Sequence, residues 1–155
     1  MGVSIIDGTI EEVELKRRRK LASVYSRILF RLPDGTTKTW GKSVVWNDVA
    51  DKLKPGTQGR FYLYTAIDHR GVHGVRAADG TEVYGFGRVN EYASIGVFVV
   101  SALTVAFSIM AIGDAPLLAT ILLVLSVPMY LLYRNTRVQA ERQFQADSGY
   151  RPPAG

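Results

Sequence analysis

Two stretches decide the architecture: SIGVFVVSALTVAFSIMAI (Ser94–Ile112) and PLLATILLVLSVPMYLLY (Pro116–Tyr133). They hold 19 and 18 residues without one charged side chain. As α-helices rising about 1.5 Å per residue, they reach roughly 27–28 Å, close to the ~30 Å hydrocarbon thickness of a bilayer. The second contains seven Leu together with Ile121, Val124 and Val127. Such residues favour insertion by about 0.3–0.6 kcal/mol each near a helix centre. Both runs are apolar on every face, and the 93 residues ahead of them are too few to cover two such helices in a soluble fold. The sequence predicts an antiparallel transmembrane hairpin.

The connection, Gly113-Asp114-Ala115, is short enough to force both ends of the hairpin onto one side of the bilayer. Asp114 suits an N-cap of the second helix, and Pro116 suits its first turn. Basic residues set the orientation. The connection has none, whereas Arg88 precedes the first span and Arg134, Arg137 and Arg142 follow the second. The positive-inside rule then puts the connection outside and both termini in the cytoplasm, with Tyr92, Tyr130 and Tyr133 as interfacial anchors. A bacterial inner membrane is the expected location; Met1–Asp7 lacks the basic region and apolar core of a signal peptide.

Small residues recur along the spans. Ser94, Ser101 and Ser108 are seven apart on one face; Ala115 and Ala119 form a small-xxx-small pair, and Ser126 follows seven residues after Ala119. Such faces let helix backbones approach closely, either within the hairpin or between copies of it as a homo-oligomer.

Charge divides the 155-residue chain sharply. Residues 1–93 carry 15 Lys+Arg against 11 Asp+Glu, and residues 134–155 carry four Arg against Glu141 and Asp147; between Ser94 and Tyr133 only Asp114 is charged. The chain has no cysteine, which excludes disulfides, thiolate metal sites and a cysteine nucleophile. Three segments follow: a cytoplasmic β-rich domain over residues 1–90, the hairpin over 91–133, and a cytoplasmic helical extension with a disordered tail over 134–155.

Residues 1–90 alternate like strands over Val3–Leu15, Leu21–Leu32, Thr36–Trp40, Arg60–Ile67, Val72–Arg76 and Glu82–Phe86. Pro33-Asp34-Gly35-Thr36 and Ala78-Asp79-Gly80-Thr81 are turn signals, and Asn47 opens a short helix to Leu53 as its cap. Six short strands with one helix predict a small barrel or rolled antiparallel sheet of the OB or SH3-like kind. In layout the chain resembles small bacterial membrane proteins of the NfeD type, which join a compact OB-like β domain to a few transmembrane helices. There the membrane segment usually precedes the β domain, whereas here it follows. No functional residue carries over from that resemblance.

The most unusual local feature is Lys16-Arg17-Arg18-Arg19-Lys20. Five consecutive cations repel one another and must be solvated, which places them at a protruding hairpin tip. Beside an anionic leaflet each gains up to about 1 kcal/mol. An acidic protein partner, and simply a solvated turn that reinforces the topology, are the other readings; no recognised nucleic-acid motif accompanies the run. His69 and His73 form an H-x3-H pair, but Gly71 and Gly74 break the helical geometry that would align them, so no metal and no cofactor are expected. Trp40, Trp46, Phe61, Tyr62 and Tyr64 are candidates for a base-stacking or ligand platform. Tyr62 and Tyr64 share one strand face, opposite Phe61 and Leu63, so one face is expected to pack in the core and the other to be open to a ligand.

Enzyme signatures are missing: there is no G-x-S-x-G, no Walker loop and no G-x-G-x-x-G after a strand. The sequence predicts a non-catalytic membrane-anchored module whose β domain binds a protein partner or anionic lipid. The alternative is a small oligomeric transport or pore component built from the hairpin.

Overall fold

The computed structural model describes residues 2–150. Its elements are β1 (Gly2–Arg18), β2 (Ala22–Arg31), β3 (Thr37–Trp46), α1 (Asn47–Ala50), β4 (Gln58–Thr65), β5 (Arg70–Ala77), β6 (Glu82–Tyr84), α2 (Val89–Ile112) and α3 (Leu117–Ala146). They form two compact units. One comprises the strands and α1 through Phe86 together with the chain from Thr136 onward; the other comprises Gly87–Asn135.

The first unit is a closed barrel. Its strands run in the order β3-β2-β1-β4-β5, β6 extends the edge of β5, and a parallel contact between β3 and β5 at Ser43 and Arg70 closes the ring. This order, with a helix between the third and fourth strands, is the OB topology rather than the SH3-like one. β1 serves both halves: Gly2–Thr9 pairs with β4 and Thr9–Arg18 with β2. It turns between them at Gly8, where a Cβ would lie 2.3 Å from the Arg31 carbonyl oxygen. Three register shifts between Ile10 and Arg17 bend the strand further.

Inside the ring, Ile6, Ile10, Ile28, Phe30, Val45, Phe61, Leu63, Val72 and Val75 form the core, closed at one end by Val49 and Leu53. The Phe30 and Phe61 rings lie 5.0 Å apart. The alternation read from the sequence is therefore a barrel pattern, with inward apolar residues on every strand.

Two turns share one chemistry. Asp34 accepts from the Thr36 amide (2.9 Å) and hydroxyl (2.6 Å), and Asp79 accepts from the Thr81 amide (2.8 Å). Gly35 and Gly80 take φ of +82° and +85°, which favours glycine in the third place of each turn. These bonds hold both carboxyls below their usual range, Asp34 chiefly through the Thr36 hydroxyl and Asp79 chiefly through the Thr81 amide.

Several boundaries differ from the sequence reading. β3 continues six residues past Trp40, with Lys42 at φ +46°, and keeps its register with β2 on both sides of that residue. α1 is a single turn, and Asn47 is its first residue rather than its cap. The segment from Thr136, helical to Ala146, groups with the barrel unit. The tail expected to be disordered lies outside the described residues from position 151.

The second unit consists of α2 and the first part of α3. α2 starts five residues before Ser94, and α3 runs on past Tyr133 without a break, through Pro128. Both helices are long and apolar enough to cross a bilayer, and only 6% of each apolar window is buried, unlike the core helix of a soluble protein. Phe107, Met110, Leu117 and Leu118 are each at least 70% exposed. Gly113 ends α2 in the left-handed region, its amide bonding to the Ile109 carbonyl at 3.0 Å. Asp114 does not cap α3. Its carboxylate accepts from the adjacent Ala115 amide at 2.8 Å, and the helix begins only at Leu117.

Candidate functional site

The five cations straddle the end of β1 and the turn into β2. Arg17 and Arg18 still pair in register with Val24 and Ser23, and the Arg19 amide bonds back to Ala22 O at 2.9 Å. Every residue from Glu14 to Leu21 is exposed. The expected protruding tip is thus a hairpin with a closed turn, not a loose loop.

What orders that turn lies elsewhere in the sequence. Asn47, at the start of α1, donates from Nδ2 to the carbonyls of Arg19 (3.1 Å) and Lys20 (3.0 Å). Its backbone amide donates to Leu21 O at 3.1 Å, and its Oδ1 accepts from the Ser23 hydroxyl at 2.9 Å. The asparagine binds the turn in place of capping its helix. Arg18 bonds Asp51 at 2.8 Å. Lys16, Arg17, Arg19 and Lys20 have no carboxylate partner among the described residues. A hydrogen-bonded hairpin therefore presents to solvent four cations that have no carboxylate partner among the described residues. An exposed Leu flanks the run at each end: Leu15 is 49% exposed and Leu21 58%.

The face read as a ligand platform is closed. Tyr62 and Tyr64 do point away from the core, yet both are fully buried. They sit in a second aromatic layer with His73, Phe86 and Phe144; the Tyr62 and Phe144 rings meet edge to face at 4.9 Å, and Tyr64 lies 4.7 Å from Phe86. The end of α3 and the residues after it cover this layer. Asp147 accepts from Arg60 Nη1 (3.1 Å) and the Tyr62 hydroxyl (3.0 Å), Tyr150 stacks on the Arg60 guanidinium at 3.5 Å, and Arg76 donates to Phe144 O at 3.1 Å. Gly74 makes room for this contact: a Cβ there would lie 2.6 Å from Phe144 Cδ2.

The two histidines have separate roles. His73 is fully buried in β5, with Nε2 3.3 Å from Gln143 Oε1; burial pushes its imidazole down to about 4. His69 lies in the β4–β5 loop, bonded to Asp68 at 2.7 Å and edge-on to Tyr64. No group of three metal-ligating side chains occurs among the described residues.

In the helical unit, Ser94, Ser101 and Ser126 are buried while most of their neighbours are exposed, and Ser108, Ala115 and Ala119 are half-buried. Ser94 donates to Asn90 O (2.9 Å) and Ser126 to Leu123 O (2.7 Å), so their hydroxyls are satisfied within their own helices. The stripe leaves no unbonded donor at those two positions.

The chain is thus a closed OB-type barrel joined to two helices long and apolar enough to cross a bilayer. Comparison with protein families, curated proteins and solved structures finds no match.

Proposed function

We propose that this is a membrane-anchored, non-catalytic binding module. Its helical hairpin spans a bacterial inner membrane, and its barrel faces the cytoplasm, engaging a protein partner or anionic lipid through the β1–β2 tip. The observation that carries this reading is the tip itself. Four cations without carboxylate partners among the described residues stand at the end of β1 and on the turn that Asn47 binds from outside the hairpin. Holding like charges together costs free energy, and an unordered turn would let them spread; a fixed array suits a multivalent anionic ligand. The exposed apolar helices support the anchor, since water would penalise their surface and lipid would not. The basic residues flanking the hairpin, with none in its connection, support the orientation.

The test is affinity capture of the full chain from native membranes in mild detergent, with Lys16–Lys20 intact or changed to Gln. A partner protein or anionic phospholipid retained by the first and lost by the second is expected. Identical retention by both removes the tip from the function. A transport or pore component draws only on the outward apolar faces of the hairpin; ion or solute flux through proteoliposomes of the purified chain would favour it instead.

A further inference from the structure

The turn and its flanks read Leu15-Lys16-Arg17-Arg18-Arg19-Lys20-Leu21, and both leucines are about half exposed. Single exposed leucines are ordinary on protein surfaces. Two that bracket a cation array at a fixed hairpin tip are a different case. We infer that the tip is a membrane-insertion element: Leu15 and Leu21 enter the acyl boundary of an anionic leaflet while Lys16, Arg17, Arg19 and Lys20 hold its headgroup phosphates. The inference rests on the binding-module reading above and names the ligand.

Three observations select a bilayer over other anionic ligands. First, the leucines gain by leaving water where an apolar environment receives them, which the acyl boundary of a bilayer supplies and a phosphodiester backbone does not. Second, residues 14–22 contain no aromatic side chain apart from none at the turn itself, and Trp46, which pairs with Ala22, is half-buried, so the tip offers no run of exposed rings on which successive bases could stack. Third, the barrel is joined at Gly87 and Asn135 to two helices that can cross a bilayer, so a lipid surface is covalently at hand. The nearby carboxylates do not cancel the array. Asp51 pairs with Arg18, and Glu14 and Asp48 are exposed to solvent. Long basic side chains suit such a boundary, since their stems lie along apolar surface while their charges stay with the headgroups.

The experiment uses the full chain, whose lack of cysteine allows a single probe. Leu21→Cys carries an environment-sensitive fluorophore, and Lys38→Cys, near the β2–β3 turn at the far end of β2, serves as the control. Each is reconstituted into nanodiscs of phosphatidylcholine alone or with phosphatidylglycerol, with acyl-chain quenchers present. The Leu21 probe is expected to shift to the blue and to be quenched from the acyl chains in anionic discs only, while the Lys38 probe stays aqueous. Adding Arg17→Gln, Arg19→Gln and Lys20→Gln is expected to lower the inserted population about a hundredfold. A Leu21 probe that stays aqueous in both lipids overturns the inference, as does one shielded only when RNA is added. If the tip stays aqueous but native-membrane capture still depends on its charge, insertion fails and the binding-module reading stands. If the chain washes out of membranes in alkaline carbonate, the anchor fails as well.

Discussion

Asn47 Nδ2 lies 3.0 Å from the carbonyl oxygen of Lys20, so the first residue of α1 holds the turn that carries the basic run. The same side chain reaches Arg19 O and Ser23 Oγ. This bond joins a residue of the barrel's closing helix to a hairpin 27 positions earlier in the chain.

Asn47→Ala removes those side-chain bonds and leaves carbonyls of the turn to water. It is expected to destabilise the barrel by about 1–3 kcal/mol in urea unfolding. Hydrogen exchange at Arg19 should rise with it, because the Arg19 amide closes this turn. An unchanged exchange rate would mean that the turn is ordered by its strands alone.

The contact between Gly74 and Phe144 predicts a non-additive pair. Gly74→Ala puts a methyl against the Phe144 ring and should cost about 1–3 kcal/mol in the intact chain. In a Phe144→Ala background the same change should cost much less, and the difference is a coupling energy measurable by a double-mutant cycle. Equal costs in both backgrounds would show that the end of α3 does not cover β5 in solution.

Asp147 and burial together raise Tyr62, whose phenol is pushed up to about 12, burial being the larger cause. Asp147→Asn removes the negative charge beside the hydroxyl but keeps an acceptor. The Tyr62 phenol is expected to titrate lower than in the wild type, yet still above the ordinary tyrosine value, by ultraviolet difference spectroscopy. An unchanged titration would place Asp147 away from Tyr62.

His73 sets a pH dependence. Its imidazole ionises near 6.5 in the unfolded chain and about 4 in the fold, because burial disfavours the charged form. Between those values the unfolded chain binds more protons, so stability falls as pH is lowered. The contribution is fully present above about pH 6.5. It is lost progressively down to about pH 4 and amounts to about 3 kcal/mol. His73→Gln should flatten that part of the stability–pH curve for the barrel.

The fold was legible in the sequence where one period dominates. Nineteen and 18 uncharged residues announce the helices, and Phe61-Tyr62-Leu63-Tyr64 announces a central strand. Register and closure were not legible. Nothing local says that Ser43 of β3 will meet Arg70 of β5, since closure depends on the bends in β1. Burial of the second aromatic face was not legible for a related reason. Alternation correctly separates Tyr62 and Tyr64 from the core, but it cannot show that Phe144 and Asp147 return from more than 80 positions away to cover them. The basic tip was visible as charge; its order was not, because the residue that provides it has the composition of a helix cap.

The most direct test of the account is photo-cross-linking from the tip in native membranes. Arg19→Cys carries a short-range photo-reactive group on the full chain, and Lys38→Cys carries the same group as control. Adducts to phospholipid or to a defined partner protein are expected from position 19, depleted when Lys16, Arg17 and Lys20 are changed to Gln, and absent from position 38. Equal labelling from both positions, or no adduct from position 19, would contradict a binding role for the tip.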